Sequence, residues 1–416
     1  MQTMKQQAEQ MIQTIIAENL PEPSTIKALE SHDFAGKQVV LVAIGKAAWR
    51  MAKAAKDHLG DAITQGIVIT KYDHSAGPID GLRIYEAGHP TLDQNTIDAT
   101  QQVVELVSEL SSEHLVLFLV SGGGSALFEA PKAGITLEML QSLTNQLLAS
   151  GADIVEINTV RKRLSQVKAG GFAQMVAPAQ VFAVVLSDVL GDRLDSIASG
   201  PAAPDLTTVA DVLAIVDKYN LDLPEQARAY LQEETPKTLD NVKTIITGSV
   251  SSLVASAANT AQSLGYKPYV LTTTLACEAR EAGRFMGTIA TATDKGETSF
   301  EKPAAIIAGG ETVVTLTGKG KGGRNQEIAL SSAKHLAGMD NALLFSLGSD
   351  GTDGPTDAAG GMVDGNTLAQ LKAKGLSLDD ILANNDAYHG LQAVDGLIMT
   401  GPTGTNVNDV AVLLIS

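Results

Sequence analysis

Short unbroken runs of Val, Ile and Leu, each followed by a longer amphipathic stretch, limit what this chain can fold into more than any other feature. QVVLVAIG (38–45), GIVIT (66–70), RIYEAG (83–88), HLVLFLV (114–120) and QVFAVVLSDV (180–189) read as strands, most of them covered on both faces. Between them, 46–59, 96–110, 136–150 and 156–167 carry helical periodicity. Residues 3–18 are helical too, with Pro21 and Pro23 closing the segment. A second series follows, with strands at 243–249, 266–273, 303–311, 312–318, 342–350 and 409–415 and helices at 251–264, 277–292 and 325–337. Alternating strands and helices predict mainly parallel sheets joined by right-handed crossovers. The expected fold is α/β, with two Rossmann-like domains. Residues 218–242 are polar, carry two prolines and hold no strand, so the boundary is placed near 235. That makes residues 1–235 one domain and 236–416 the other, in keeping with about 150 residues per domain.

Charge and composition narrow the partners. The formal net charge is −17 and aromatics are 4% of residues. An acidic chain poor in aromatics suits neither phosphate-backbone neutralisation nor base stacking, so no nucleic-acid partner is expected. One cysteine, Cys277, excludes an intramolecular disulfide and any zinc site built on a cysteine pair. The N-terminus lacks the pattern of a signal peptide, and no run reaches the roughly 18 apolar residues of a membrane span. A cytoplasmic protein without a membrane partner is expected.

The chemistry-bearing motifs stand where strands end. The strand at 114–120 runs into Ser121, Gly122, Gly123, Gly124 and Ser125. Successive glycines let backbone N–H groups converge on an anion, and a following helix N-terminus would add its dipole. A tight turn alone would not need so many glycines. No GxxxxGK[ST] occurs, so this is not a Walker A loop. Lys46 follows the first strand, at the carboxyl end where open α/β sheets bind ligands.

Two basic islands interrupt the acidic chain. One, at 157–171, holds Asn158, Arg161, Lys162, Arg163 and Lys168; the other, at 312–326, holds Lys319, Lys321, Arg324 and Asn325. Local positive charge of this kind recruits small polyanions, although a solvated helix face or hairpin tip would look the same. Arg324 opens a helix, where its fork can meet a carboxylate or phosphoryl group. GKGKGG (318–323) also satisfies G-x-G-x-x-G, but it lacks an acidic partner about twenty residues on.

Carboxylates cluster elsewhere: Asp188 and Asp192 at one strand end, and Asp350, Asp353 and Asp357 in a Gly-rich loop. They are candidates for Mg²⁺ or for accepting a hydroxyl proton, against the plainer alternative of turn formation. The metal candidates are Asp188, Asp350 and Asp353. Glu311 and Asn406 complete the candidate binding set, Asn406 in a polar turn with Thr403, Thr405 and Asp409. His74 and His89 lie near strand ends and read as surface residues with possible polar contacts.

The ordered set AIGKAAWRMA, SGGGSALFEAP, INTVRKRLSQVKAGG, VLSDVLGDRLDSIASGP, AGGETVVTLTGKGKGGRNQE, GSDGTDGPTDAAGG and PTGTNVNDVAVLLI resembles type II glycerate kinase, the glycerate 2-kinase family with a MOFRL domain. The resemblance runs from about residue 5 to the C-terminus. It implies transfer of the ATP γ-phosphoryl group to the 2-hydroxyl of D-glycerate, giving 2-phosphoglycerate and ADP with a divalent cation. It also implies an active site in a cleft between two α/β domains, with Lys46 and Arg324 at catalytic positions. On that reading residues 121–125 cradle phosphate, and domain closure completes the site. Lys46 and Arg324 neutralise the transferring group and the substrate carboxylate, and Asp188 or Asp192 binds Mg²⁺ or takes the proton. Some relatives carry the name hydroxypyruvate reductase, so NAD(P)H-dependent reduction is an alternative. A non-catalytic binder of small anions is another.

Overall fold

The computed structural model describes residues 3–187, 189, 191 and 193–416. Asp188 and Asp192 therefore lie outside the described residues. The chain forms two compact units, one of residues 21–247 and one of residues 1–20 with 248–416. The division falls after residue 247, not near 235. Residues 209–218 and 225–231 are helices, and their Val212, Val216, Ala227 and Leu231 join Leu140, Leu143, Ile157 and Val160 in a satellite core. The polar stretch thus hides an apolar stripe that belongs to the first unit.

In the unit of residues 21–247 the strands are β1 (Gln38–Ile44), β2 (Ile63–Lys71), β3 (Leu82–Ala87), β4 (His114–Val120), β5 (Gln180–Leu186) and β6 (Val242–Gly248). Their order is β3-β2-β1-β4-β5-β6. β1 runs parallel to β2 and β4, β2 to β3, and β4 to β5. Register places Ile44 beside Ile69 and Val120, and Lys71 beside Ala87, so the segments after β1, β2, β3 and β4 leave the same sheet edge. The chain goes from β1 outward to β3, then crosses back to lay β4 on the other side of β1. That reversal is the switch point at which open α/β sheets form a ligand crevice.

The second unit holds β7 (Lys267–Leu275), β8 (Ala304–Gly310), β9 (Ala342–Gly348), β10 (Gly360–Asp364), β11 (Leu397–Ile398) and β12 (Asp409–Ile415), in the order β11-β10-β9-β12-β8-β7. Only β7 and β8 pair in parallel; β12 runs antiparallel between β8 and β9, and β10 antiparallel to β9 and β11. The expected parallel order holds from β1 to β5 of the first sheet and gives way to a mixed one here. The reason is physical: β8, β9 and β12 are fully buried, and a strand covered on both faces carries the same apolar run in either direction. Residues 312–318 are not a strand but part of a loop. The N-terminal helix Met4–Glu18 belongs to this unit: it buries Ala8, Met11, Ile12 and Ile15, and Gln7 accepts a hydrogen bond from Tyr266 at 2.7 Å. No described helix is long and apolar enough to cross a membrane.

Candidate active site

In the first unit, two glycines decide how the loops meet. Gly45 has φ +110°, and a Cβ there would stand 2.4 Å from the Ser121 carbonyl oxygen. Glycine alone lets the β1 loop lie on the β4 loop. The join is hydrogen-bonded throughout: the Lys46 N–H donates to Gly122 O at 2.9 Å, and the Ala47 N–H to Ser121 Oγ at 3.0 Å. Thr70 Oγ donates to Gly45 O at 3.1 Å, and His74 Nδ1 lies 3.0 Å from Lys46 O. Gly123 has φ +85°; a Cβ on it would stand 2.9 Å from His89 Cδ2 and 3.4 Å from Lys46 Cε. Gly123, His89 and Lys46 therefore converge on one point.

The residues of the glycine loop divide by role. Ser121 is buried and its hydroxyl is occupied within the loop junction, donating to Ile44 O at 3.2 Å. Gly124 is buried where a Cβ would meet Ala198 at 2.6 Å. Gly122 and Gly123 are half-buried, and among the described residues their amides have no protein acceptor. The following helix, Gly124–Leu127, is a single turn, too short for the expected macrodipole. Ser125 Oγ meets Ser199 Oγ at 2.8 Å.

The basic island at 157–171 is mostly internal scaffolding. Lys168 is buried, donates to the carbonyls of Ser125 at 2.8 Å and Phe128 at 3.0 Å, and pairs with buried Glu129 at 3.5 Å. Burial pulls its ammonium down to about 8, against the opposing pull of Glu129. It supports the glycine loop from behind, with its donors met inside the protein. Lys162 pairs with buried Asp205 at 3.7 Å, and Arg163 donates to the carbonyls of Thr207 and Glu233. Asn158 and Arg161 are half-buried, with the Arg161 Nε unpartnered.

In the second unit, β8 and β12 bring Glu311, Arg324 and Asp409 together. Asp409 opens β12 and sits in register with Gly310 and Gly348, at the ends of β8 and β9. Arg324, the first residue of helix Arg324–Leu336, forks onto Asp409 at 2.5 and 3.1 Å and reaches Glu311 at 2.8 Å. Burial raises the Asp409 carboxyl, while Arg324 pulls it back. Three of the five guanidinium N–H bonds are used, which fixes the fork and leaves the others for a ligand. The carboxylate partner Asp409 looks like an ordinary turn residue in sequence, and only the strand register exposes its role.

Several other candidates make contacts within the protein. Asp353 accepts the amides of Asn325 at 3.2 Å and Gln326 at 2.9 Å, capping that helix, and burial pushes its carboxyl up to about 7. Asn325 is buried and accepts from Ser346 Oγ at 2.6 Å. Asp350 shapes its own turn through the Thr352 N–H at 3.0 Å, and Asn406 through the Asn408 N–H at 3.4 Å. In the Gly–Lys loop, the amides of Thr317, Gly318, Lys319, Gly320 and Lys321 donate to Asn384, Asn385 and Asp386. Those amides are spent and cannot cradle phosphate, and the Lys319 side chain is exposed. Among the described residues no group of three or more His, Cys, Asp or Glu side chains could hold a metal ion. Asp353 is engaged as a helix cap and Asp350 in its own turn, while Asp188, the remaining metal candidate, lies outside the described residues.

Family models match the chain in two blocks. Residues 7–232 match a domain of unknown function (DUF4147), and residues 304–409 match the MOFRL family. The chain is 55% identical to a D-glycerate 2-kinase of Thermotoga maritima, over 91% of this chain and 91% of that protein. It is 34% identical to the glycerate kinase of Bos taurus, over 99% and 93%. A relative from Agrobacterium vitis, 41% identical over 90% and 87%, is named a putative hydroxypyruvate reductase. The crystal structure of a Thermotoga maritima glycerate kinase superposes with a TM-score of 0.96 at 52% identity, covering 99% of each chain. The chain belongs to the glycerate kinase family that pairs a DUF4147 domain with a MOFRL domain.

Proposed function

We propose that this protein is an ATP-dependent D-glycerate 2-kinase, forming 2-phosphoglycerate and ADP. The observation that carries the reading is the meeting of Lys46 with the acceptor-free amides of Gly122 and Gly123 at the switch point of a parallel sheet. Free amides next to a lysine side chain suit the oxygens of a phosphoryl group, whose transfer depends on positioning and charge neutralisation more than on covalent chemistry. In this reading the glycine loop orients the polyphosphate and Lys46 neutralises the group in flight. Arg324, held rigid by Asp409 and Glu311, keeps its remaining N–H bonds for a carboxylate or phosphoryl group of the substrates. The 2-hydroxyl oxygen forms the new bond to phosphorus, the bond to ADP breaks, and the hydroxyl proton passes to Asp188 or Asp192. As an enzyme of soluble metabolites it would work in the cytoplasm.

Phosphorus NMR of the product from D-glycerate and Mg-ATP tests class and regiochemistry together. A 2-phosphate ester is expected; a 3-phosphate ester would overturn the regiochemistry. The reductase named among the relatives is the competing reading. Only Gly45 follows β1 where a dinucleotide fingerprint would need several glycines. Oxidation of NADH by hydroxypyruvate without ATP would overturn the kinase.

A further inference from the structure

The geometry points to His89 as a third ligand-contacting group of the Lys46 site, one that hydrogen-bonds the phosphoryl oxygens held by Lys46 and the glycine loop. This rests on the kinase reading and adds a residue to it. His89 lies two residues past the end of β3, and register carries that end to the same edge as the ends of β1, β2 and β4. Its imidazole edge, Cδ2 and Nε2, stands at 2.9 and 3.0 Å from where a Cβ on Gly123 would be, with Lys46 Cε at 3.4 Å from the same point. Gly123 thus leaves room for a ring as well as for a left-handed turn.

The ring is half-buried, yet neither nitrogen has a hydrogen-bond partner among the described residues. His74, its neighbour in the site, is already engaged with Lys46 O. An imidazole beside an ammonium and two acceptor-free amides, with no protein partner of its own among the described residues, is placed to donate to the acceptor oxygens of a bound ligand. The main-chain approach is anchored, since Asp93 accepts the N–H of the preceding Gly88.

Protonation fits a donor of this kind. Burial first, then the charges of Lys46, Lys71 and His74, lowers the imidazole to about 4, so the ring is neutral at pH 7. Those are the charged and titratable groups facing it from the β1 and β2 loops; residues 121–125 of the β4 loop contribute none. A neutral ring keeps one N–H to donate without adding to the local repulsion between cations. An anion in the site reverses the field and raises the pKa.

The test uses the full chain, with His89→Ala and His89→Gln beside Lys46→Ala. For D-glycerate and Mg-ATP, His89→Ala should lower kcat/KM by about 10- to 100-fold, the scale of a lost hydrogen bond to a charged group, with Tm unchanged. His89→Gln, which keeps an N–H, should recover part of the loss. Ring ¹⁵N signals of His89 should move on adding inorganic phosphate or ATP, and its titration midpoint should rise. An active enzyme whose His89→Ala variant stays within twofold of wild type would overturn the contact. So would ring signals indifferent to both anions, even if the protein proved inactive on glycerate. Loss of glycerate-dependent ADP formation in the wild type, with the ring still responding to ATP, would sink the kinase reading and spare the contact.

Discussion

The Lys46 loop and the Arg324 cluster both stand at the ends of buried strands, but they handle positive charge in opposite ways. Arg324 is compensated inside the protein, by Asp409 beneath it and Glu311 beside it. Lys46 forms no ion pair among the described residues, and its near neighbours at His89 are Lys71 and His74. The first arrangement fixes a fork in place at some cost in net charge. The second leaves a cation that no described carboxylate pairs with, suited to an anionic ligand. In the proposed kinase, that difference suits Arg324 to positioning and Lys46 to charge neutralisation.

Substitution at the two cations should break the comparison most sharply. Lys46→Ala is expected to lower kcat/KM by about 10³-fold or more while Tm stays put, because it removes a charge that supports no fold contact. Arg324→Ala should match it in rate but also lower Tm, since Asp409 is then buried without its cation. Arg324→Lys should restore little, because an ammonium cannot reproduce the fork. Steady-state kinetics with thermal melts check both; equal stability losses would erase the distinction.

The support beneath the loop comes next. Lys168→Met leaves Glu129 buried with no cation, at a cost of about 3 kcal/mol, and Lys168→Met with Glu129→Gln should recover most of it. Chemical denaturation of the single and double variants measures this. If the single variant is as stable as wild type, the pair is not what holds Ser125 and Phe128.

The pH dependence of stability should separate the sites more finely. His89 is lowered from 6.5 to about 4, so the unfolded chain binds its proton first, and this residue removes stability as pH falls from 6.5 towards 4. Asp353 is raised from 3.8 to about 7, so the folded state binds the proton first, and stability is lost as pH rises from 3.8 towards 7. Against wild type, His89→Gln should flatten the first slope and Asp353→Asn the second, read from denaturation at a series of pH values. Identical slopes in both variants would refute the assignment.

The smallest effect belongs to the second basic island. With its loop amides bound to Asn384, Asn385 and Asp386, Lys319→Ala should change kcat/KM by less than about threefold, as for an exposed charge. A loss as large as that of Lys46→Ala would return the Gly–Lys loop to the binding machinery.

Much of this was legible along the chain. Unbroken apolar runs specify buried strands, so Lys46 and the glycine loop could be placed at strand ends before any coordinates. The family motifs then singled out Lys46 and Arg324. Charge was less readable, because a sequence shows that a residue is basic but not which carboxylate it meets. Lys162 and Lys168 looked like a surface island and are buried against Asp205 and Glu129, far along the chain. His89 looked like surface, because nothing local reveals that β2 pairs with β3 and lays its loop beside Gly123. Strand direction in the second sheet was equally hidden.

What the sequence by itself determined is the set of elements and the loops between them, since periodicity and glycine act over a few residues. What only the tertiary structure decided is which loops share a sheet edge and which charges are cancelled. Those depend on strand order and register, which join residues as distant as Arg324 and Asp409, or Lys46 and Gly122.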